Sequence, residues 1–479
     1  MSSPRPYEPL SSLSAAEALD RFRRGALSPL ALVEDCLARI ERENPAINAF
    51  AHLAPDAARA AARASEARWR AGKPRGPLDG LPVTLKDMTR TADMPTRLGS
   101  RTTPAEGLGE GDAPVAAHLR EAGAVILGKT TTPEYGWKAV TDSPLTGVTR
   151  NPWNTRLTPG GSSGGAAAAA ALNLGLMHQG SDAGGSIRIP AAFTGTVGIK
   201  PSFGWVPQWP ASPMGTLSHL GPLARRVEDA ILMLEAMARP DARDGHLGNP
   251  RRPDWRTPPP PDLRGWRIAL SLDLGHVQVV PDIAARVREA ATRLRELGAR
   301  VEEADPGIAS PLATFNTLWF AGASQLLDAW TEAQRRRLDP GLLDIARRGA
   351  ALPLGDYLAA CRARERLTAQ LADFHRRFDL LVTPTLPLSP FAAGHDVPPD
   401  GPYREWMEWT PFTYPFNLSQ QPALSMPCGL DDQGLPVGLQ LVGARFDDLT
   451  VLQAARLLEA QLPTTFPKTA RGTAGAGSV

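Results

Sequence analysis

The chain has 479 residues, and its 52 basic and 50 acidic side chains leave a formal net charge of +2. This balance gives no electrostatic reason to expect nucleic-acid or membrane-surface binding, and the length suits one large domain or two to three ordinary ones. The three cysteines, Cys36, Cys361 and Cys428, are far apart, which argues against a disulfide framework or a zinc site. With no apolar signal segment and no run of 18 apolar residues, we expect a cytoplasmic protein.

The N-terminal part of the chain predicts a layer of helices. Ser14 and Glu17 have the spacing of a capping box at the start of a first helix. Ser28 as N-cap, followed by Pro29, begins a second. The Ala- and Arg-rich segment 56–72 predicts a solvated third helix. Nothing in this layer resembles a catalytic motif.

Strand and helix patterns then alternate along the chain. The alanine run at 166–171 is the strongest local helix signal, and its small side chains predict a buried helix. The patterns predict, in order, strand 81–85, helix 114–122, strand 124–130, helix 166–171, strand 175–182, strand 195–202, helix 226–238, strand 266–273, helix 281–299, strand 300–305, mainly helix 310–376, and then strands 378–387, 422–430 and 436–445 and helix 449–462.

This alternation predicts an α/β fold with a large mixed, mostly parallel sheet covered by helices on both faces. A proline-rich link at 249–262 is interpreted as an exposed connection, because strand patterns continue on both sides. We therefore expect one domain over 1–465, with the helical layer at 1–72 and the α/β core at 73–465. The Gly- and Ala-rich tail, 466–479, is predicted to be disordered.

Two serine sites flanked by glycine lie close together in sequence. Ser162 and Ser163 stand in the GGSSGG segment 160–165, and Ser186 stands in AGGSIR at 183–188. Glycine lets backbone approach a ligand closely, and a serine in such backbone can be a nucleophile with N–H groups near a developing oxyanion. The alternative interpretation is a pair of flexible loops.

Lys86 ends the predicted buried strand at 81–85 and precedes Asp87. A lysine in that place usually forms a salt bridge or extends its ammonium to the surface. If the ammonium is desolvated instead, its pKa falls and the neutral amine can act as a base. A Ser–Lys pair then replaces the Ser–His pair of other hydrolases.

Other assignments of these motifs are also open at this point. The chain has eight histidines, so a spatial Ser–His–Asp triad is an alternative, with His178 the histidine near the serines. A G-x-S-x-G match at 161–165 makes Ser163 a candidate nucleophile elbow, although a polar, proline-containing segment precedes it rather than a strand. A phosphate loop is disfavoured because the G-K-[ST] ending is missing.

Together these motifs resemble the amidase signature family of serine hydrolases. Residues 80–87 match its G-[IL]-P-x-x-x-K-D motif, GGSSGG follows, and residues 182–188 match D-x-G-G-S-I-R. The resemblance extends over nearly the whole chain, with further matches at 197–204, 221–234 and 434–443. It implies the stand-alone amidase branch and a C–N hydrolase acting on linear amides.

The resemblance implies a Ser–cis-Ser–Lys triad. Ser186 would be the nucleophile that forms the acyl-enzyme, Ser162, following a cis peptide bond, would relay the proton, and Lys86 would be the neutral base. The implied oxyanion hole uses backbone N–H groups around the nucleophile, those of Ala183, Gly184, Gly185 and Ser186. Ala183 departs from the threonine that the family often has, which removes a hydroxyl from the pocket but no N–H group.

Supporting roles are implied for three further residues. Ser163 would orient Lys86 and its loop, while Asp182 and Arg188 would fix the nucleophile turn. No cofactor and no metal ion are implied. The expected partner is a small-molecule amide, with no nucleic acid and no membrane, and a homodimer is considered as the oligomeric state.

Three functions fit this pattern. The first is a stand-alone amidase for a small, aryl or alkyl amide; the second is the glutaminase component of the tRNA-dependent amidotransferase, which works with partner subunits. The resemblance implies an aspartate in that component where Thr410 stands here, which disfavours glutamine. The third is a non-catalytic binding protein, which an intact lysine and both serines oppose. The aromatic residues of segment 406–416 are either core or the wall of an apolar acyl pocket.

Overall fold

The computed structural model describes residues 10–109, 111–246, 252–462 and 464–470. Its helices are α1 (Ala15–Arg23), α2 (Pro29–Ile47), α3 (Pro55–Arg70), α4 (Pro114–Glu121), α5 (Gly164–Ala171), α6 (Arg188–Thr194), α7 (Val227–Met237), α8 (Pro281–Glu296), α9 (Leu312–Ser324), α10 (Glu332–Arg335), α11 (Pro340–Ala350), α12 (Leu354–Phe374), α13 (Pro415–Leu418) and α14 (Asp448–Glu459). Its strands are β1 (Phe50–Leu53), β2 (Pro82–Lys86), β3 (Val125–Thr130), β4 (Asp142–Ser143), β5 (Gly147–Val148), β6 (Met177–Asp182), β7 (Val197–Lys200), β8 (His219–Ala224), β9 (Arg267–Leu270), β10 (Arg300–Glu303), β11 (Leu380–Pro384), β12 (Ala423–Leu430) and β13 (Pro436–Gly443).

One mixed sheet of eleven strands organises the described residues, in the order β1-β3-β2-β6-β8-β7-β12-β13-β11-β9-β10. Its parallel pairings lie toward the two ends, in β3-β2-β6 and in β11-β9-β10. Between them, β8, β7, β12 and β13 pair antiparallel with their neighbours. The predicted mixed α/β sheet is confirmed, and strands on both sides of the proline-rich link belong to it.

Both faces of this sheet are buried. Side chains alternate between the faces along a strand, and in β11 Leu380 and Val382 belong to one hydrophobic cluster while Leu381 belongs to another. The first cluster includes residues of α7, α8 and α14, and the second includes residues of α9, α11 and α12. The predicted helices on the two faces therefore supply the two halves of the core.

Local sequence signals set several of these elements. Ser14 and Glu17 form the predicted capping box at the start of α1. Ser28 caps α2, with Pro29 as its first residue. Every residue of α5 is buried, as the alanine run predicts. The βαβ unit β9-α8-β10 has the predicted parallel pairing.

The strand β8 was not predicted, although it lies near the middle of the sheet between β6 and β7. Its sequence, HLGPLA, contains Gly221 and Pro222, which are both uncommon inside strands. The helix α6 was missed as well, because it is short and contains Pro190. Both elements border the serine motif at 182–188, so this omission affects the surroundings of the candidate site.

Some sequence predictions fall on residues that the structure does not describe. Residues 247–251, in and before the proline-rich link, and residues 471–479 of the predicted disordered tail lie outside the described residues. Residues 464–470 form neither helix nor strand. Among the described helices, none combines the length and the apolar character needed to cross a membrane.

Candidate active site

Lys86 ends β2, next to the parallel strand β6, and its side chain is fully buried. Its Nζ atom donates to Ser162 Oγ at 2.6 Å and to Ser181 Oγ at 2.9 Å. Burial lowers the pKa of Lys86 to about 7, against a smaller opposing effect of the Asp182 charge. Among the described residues Nζ forms no salt bridge, and with its pKa lowered to about 7 the Lys86 side chain can be neutral near neutral pH.

Ser162 lies two residues before α5, next to its N-cap Ser163, and the Gly161–Ser162 peptide bond is cis, as the family resemblance implied. A side chain at Gly161 would place its Cβ 2.4 Å from the Val140 carbonyl oxygen, so only glycine fits there. Ser162 retains 2 % of its surface. The close packing of this turn fixes the direction of the Ser162 hydroxyl toward Lys86.

Ser163 connects the two serine motifs. Its N–H group donates to the Ser186 carbonyl oxygen at 3.0 Å. Its hydroxyl donates to the Ser181 carbonyl oxygen at 3.1 Å and accepts from the Ser181 N–H group at 3.2 Å. Ser163 is thus hydrogen-bonded to Ser181, which is hydrogen-bonded to Lys86; between Ser163 and Lys86 themselves the described residues show no hydrogen bond.

Ser181 is the residue at this site that sequence analysis missed. It lies in β6, and its hydroxyl is the second acceptor for Lys86 Nζ. No residue pattern identified it, because the contact depends on β6 pairing with β2, about 95 residues earlier in the chain. Its position just before the matched D-x-G-G-S-I-R motif was the available signal.

Ser186 lies on the loop between β6 and α6, and Asp182 fixes that loop. The Asp182 carboxylate accepts from the N–H groups of Gly185 at 2.8 Å and Ile187 at 3.2 Å, and it pairs with the Arg188 guanidinium at 2.9 Å. Although burial opposes ionisation, the Arg188 charge holds the pKa of Asp182 below its ordinary value. Ser186 keeps 7 % of its surface, more than Ser162 or Lys86.

The glycines of the Ser186 loop are there because neighbouring side chains leave no room for a Cβ. A Cβ on Gly184 would approach Phe315 Cζ to 2.8 Å, and one on Gly185 would approach Thr413 Oγ1 to 2.5 Å. Ala183 is partly buried and packs against the hydrophobic cluster that contains Phe315. The Gly185 N–H group donates to Asp182 Oδ1, so that N–H is occupied, which differs from the predicted oxyanion role of Gly185.

The histidine nearest in sequence to the serines lies elsewhere in the core. His178 Nδ1 is 2.8 Å from Thr84 Oγ1, between β6 and β2. Burial lowers the pKa of His178 to about 3, so its ring is neutral. In the described ranges no group of three or more His, Cys, Asp or Glu side chains is arranged to hold a metal ion.

A cavity of about 450 Å³ opens next to the lysine–serine cluster, with Ser181 and Met88 in its wall. Tyr135, Trp209 and Trp330 supply aromatic surface to it. Trp330 Nε1 donates to Tyr135 Oη at 3.1 Å, and the two rings meet edge to face at 5.2 Å. The wall is therefore mainly apolar beside a polar group of hydroxyls and an amine.

The aromatic residues of segment 406–416 belong to the core, as one of the two interpretations predicts, and Trp406 also lines a separate cavity of about 200 Å³. The aromatic side chains of this segment are at most 3 % exposed and lie outside the lining of the cavity next to the lysine–serine cluster; they are Trp406, Trp409, Phe412, Tyr414 and Phe416. They pack on one another and on α9, through contacts such as Phe315–Tyr414 at 4.8 Å. The aromatic residues of the cavity come instead from three separate segments of the chain.

Comparison with known proteins agrees with this architecture. The family model described as Amidase matches residues 31–452. An acylamidase of Rhodococcus erythropolis is 36% identical over 460 residues, which cover 94% of this chain and 96% of that protein. The A subunit of the glutamyl-tRNA(Gln) amidotransferase of Symbiobacterium thermophilum is 37% identical over 470 residues, 92% of this chain and 95% of that protein. The crystal structure of a bacterial aryl acylamidase of the amidase signature family superposes with a TM-score of 0.88 at 32% identity, covering 95% of this chain and 97% of that one.

The mixed α/β sheet and these similarities define the protein as an enzyme of the hydrolase class. More particularly, the chain belongs to the amidase family, whose members carry the amidase signature. The resemblance noted in the sequence motifs is thereby confirmed for the family. The relatives include both acylamidases and components of amidotransferases, with similar identity to this chain.

Proposed function

We propose that this protein is a stand-alone amidase that hydrolyses a carboxylic amide through an acyl-enzyme on Ser186. One observation carries the proposal. The Lys86 amine is fully buried and lies 2.6 Å from Ser162 Oγ. It forms no ion pair with a carboxylate among the residues that the structure describes. A buried lysine with a pKa of about 7 can accept a proton at neutral pH, as a general base must.

In the proposed reaction, Ser186 Oγ attacks the amide carbonyl carbon. Its proton passes to Ser162 Oγ while the Ser162 proton passes to Lys86 Nζ. When the C–N bond breaks, Lys86 returns that proton through Ser162 to the leaving nitrogen, so ammonia or an amine departs neutral. A water molecule then attacks the Ser186 ester, and its proton passes through Ser162 to Lys86. As the ester C–O bond breaks, Lys86 returns that proton through Ser162 to Ser186 Oγ, and the acid product loses a proton to solvent and leaves as a carboxylate.

The negative charge on the carbonyl oxygen needs N–H donors at the Ser186 loop. We assign the oxyanion hole to the N–H groups of Ala183, Gly184 and Ser186, which make no hydrogen bond within the described part of the chain. The Gly185 N–H group is instead engaged with Asp182, and Gly185 contributes by allowing the tight backbone path, with φ of +127°. Loss of one such donor typically costs about 3–4 kcal/mol of transition-state stabilisation.

The cavity wall favours an apolar acyl or amine group on the substrate. Tyr135, Trp209 and Trp330 line the cavity, and apolar contact with such a wall favours aryl or alkyl amides. Glutamine is disfavoured because Thr410, at the position that carries aspartate in the glutaminase component, is neutral and fully buried. The similarity to the Symbiobacterium amidotransferase component supports the glutaminase as the second candidate.

A substrate panel separates these candidates. Purified protein is assayed with an anilide, a straight-chain alkyl amide and L-glutamine, both alone and in the presence of the partner subunits of an amidotransferase. We expect turnover of the anilide or alkyl amide by the protein alone. Glutamine hydrolysis that requires the partner subunits would favour the second candidate.

The three serines allow a matched test of the nucleophile. Ser186→Ala should remove turnover and fluorophosphonate labelling together, Ser162→Ala should slow both, and Ser163→Ala should keep labelling at Ser186. If labelling were lost in Ser163→Ala but kept in Ser186→Ala, the nucleophile would be Ser163 of the G-x-S-x-G match and not Ser186. A folded protein that is unlabelled and inactive on every amide would support the non-catalytic alternative.

A further inference from the structure

A cavity of about 550 Å³ lies where α1, α7 and α14 meet, and its volume is within the range of roughly 300–1,000 Å³ that small-molecule sites have. None of the described residues lines both this cavity and the one next to the lysine–serine cluster. Six charged side chains stand in its wall; they are Glu17, Arg21, Arg225, Arg226, Asp229 and Glu459. We call it the arginine cavity.

The carboxylates of the arginine cavity already have partners within the protein. Each accepts a hydrogen bond from a backbone N–H group at the start of a helix; the pairs are Ser14 N–H with Glu17 at 2.7 Å, Ala15 N–H with Asp229 at 2.8 Å and Val227 N–H with Glu459 at 2.8 Å. The second and third of these bonds join α1 to α7 and α7 to α14. The carboxylates therefore hold the wall together.

The three arginines have no such partners. Among the residues that the structure describes, the guanidinium groups of Arg21, Arg225 and Arg226 take part in no hydrogen bond and no ion pair. Arg21 and Arg225 are partly exposed and Arg226 is exposed, so these side chains remain open to an occupant. Asn173, after the end of α5, lines the same cavity, and its side-chain amide also makes no hydrogen bond within the described ranges.

Arg225 is held in place by an aromatic ring. Its guanidinium carbon lies 3.8 Å from the centroid of the Phe466 ring, and both residues line the cavity. A guanidinium that stacks on a ring keeps its N–H groups free, because they point outward in its own plane. Burial, with the charges of Arg226 and Arg39, lowers the pKa of Arg225 to about 10, so Arg225 is still a cation at neutral pH and lacks a counter-ion.

Positive charge exceeds negative charge in this cavity at neutral pH. Hydrogen bonds from Ser14 and the charge of Arg226 lower the pKa of Glu17, which is therefore ionised. Burial raises the pKa of Asp229 to about 7 and that of Glu459 to about 7, although the Arg226 charge acts in the opposite direction. Because these two carboxyl groups are partly protonated, they do not balance the arginines.

We propose that the arginine cavity binds a small tetrahedral dianion, either an inorganic oxyanion or the phosphate group of a small organic phosphate. Arg225 and Arg226 donate to its oxygen atoms, and Arg21 adds a third positive charge. A guanidinium can bind such oxygens through two parallel hydrogen bonds, which are stronger than those between neutral groups. The site involves none of the residues proposed for amide hydrolysis, so it is independent of that function.

The test measures the binding of three anions to the full chain. Isothermal titration calorimetry at pH 7 and constant ionic strength gives the dissociation constants of sulfate, glycerol 3-phosphate and acetate. We expect the better dianion to bind at least about tenfold more tightly than acetate, because it makes one more charged hydrogen bond. Tighter binding of sulfate would identify an inorganic oxyanion site, and tighter binding of glycerol 3-phosphate an organic phosphate site. Failure of both dianions to bind, or acetate binding as tightly as they do, would overturn the proposal.

Three matched variants locate the binding. Arg225→Met and Arg226→Met each keep an unbranched side chain without the charge, and each should weaken binding of the dianion by about tenfold or more. Arg362→Met removes an exposed arginine of α12 that lies outside the cavity, and it should leave the dissociation constant unchanged. An equal loss of affinity in Arg362→Met and in the two cavity variants would show a general effect of surface charge and would also overturn the proposal.

Discussion

The Arg188 guanidinium and the Asp182 carboxylate form a fully buried pair that joins the two ends of the Ser186 loop. Two N–H groups of Arg188 donate to the two Asp182 oxygens, at 2.9 and 3.0 Å. The remaining donors reach Thr413 O at 2.9 Å, Gln440 Oε1 at 2.8 Å and Asn417 Oδ1 at 2.7 Å. Every polar group of this pair is satisfied, so the loop is held against β13 and the 413–417 segment.

Arg188→Met should destabilise the protein strongly. It leaves the Asp182 charge buried without its partner, and breaking a buried pair in this way typically costs about 3–5 kcal/mol. Urea denaturation measures the loss in the free energy of unfolding. Arg293→Met removes an exposed pair with Glu296 on α8 and should leave stability nearly unchanged. If the two substitutions lowered the free energy of unfolding equally, the buried Arg188–Asp182 pair would contribute no more to stability than the exposed Arg293–Glu296 pair.

The state of Lys86 predicts a pH dependence of activity. Its pKa is lowered to about 7 by burial, and only the neutral amine can accept a proton. The rate constant kcat/KM should therefore rise as the pH passes through about 7 and then level off, since that profile reports the free enzyme. Lys86→Met should remove turnover at every pH. A profile that is flat between pH 6 and 8 would contradict a neutral-lysine base.

The same pKa predicts a pH dependence of stability with a definite sign. The folded pKa of about 7 lies below the ordinary lysine value of 10.5, so between these pH values the unfolded chain binds more protons than the folded one. Stability then rises with pH across that window, by at most about 1.4 kcal/mol per pH unit. Lys86→Met should lack this slope when unfolding is measured in urea at pH 7 and pH 9. Identical slopes in the two proteins would show that Lys86 stays charged when folded.

Features governed by local sequence could be predicted, and features governed by contacts between distant segments could not. The capping box at Ser14 and Glu17 and the alanine helix α5 depend on residues within a few positions, so their patterns predicted them correctly. The strand β8 has no strand pattern of its own, because Gly221 and Pro222 interrupt it. It is a strand because β6 and β7 pair with both of its edges.

In the candidate site, too, the residues in local motifs could be predicted and the residues placed by contacts between distant segments could not. The motifs indicated Lys86, Ser162 and Ser186, whose roles stay predictions until they are tested by substitution. Ser181 was missed, because its contact with Lys86 arises from the pairing of β2 with β6. The aromatic content of segment 406–416 was visible in the sequence, but apolar composition alone does not distinguish a core from a pocket wall.

Ser181→Ala tests whether the second contact of Lys86 matters for activity. The substitution removes one of the two hydroxyl acceptors of Lys86 Nζ and leaves Ser162 in place. We expect kcat to fall by about tenfold, the effect of losing one hydrogen bond of average strength, with a shift of the pH profile. Ser181→Thr keeps the hydroxyl and should restore most of the rate. Unchanged kcat and pH profile in Ser181→Ala would assign Ser181 a purely structural place in β6.

Gly184→Ala tests the close packing behind the Ser186 loop. The new Cβ would lie 2.8 Å from Phe315 Cζ and 3.0 Å from Trp406 Cη2, and both rings are buried in contact with each other. Overpacking of this kind typically costs about 1–3 kcal/mol of stability. We expect kcat/KM to fall as well, because any shift of the loop moves the Gly184 N–H group that we assign to the oxyanion hole.

The control for this substitution is Gly355→Ala, near the start of α12, where a Cβ meets no atom within 4 Å. Because alanine restricts the unfolded chain more than glycine does, Gly355→Ala should be neutral or more stable by about 0.4–1 kcal/mol, with full activity. Urea denaturation and kcat/KM are measured for both variants. If Gly184→Ala matched the control in both measurements, the rings of Phe315 and Trp406 would yield to the added methyl group, and the packing against Gly184 would not restrict the Ser186 loop.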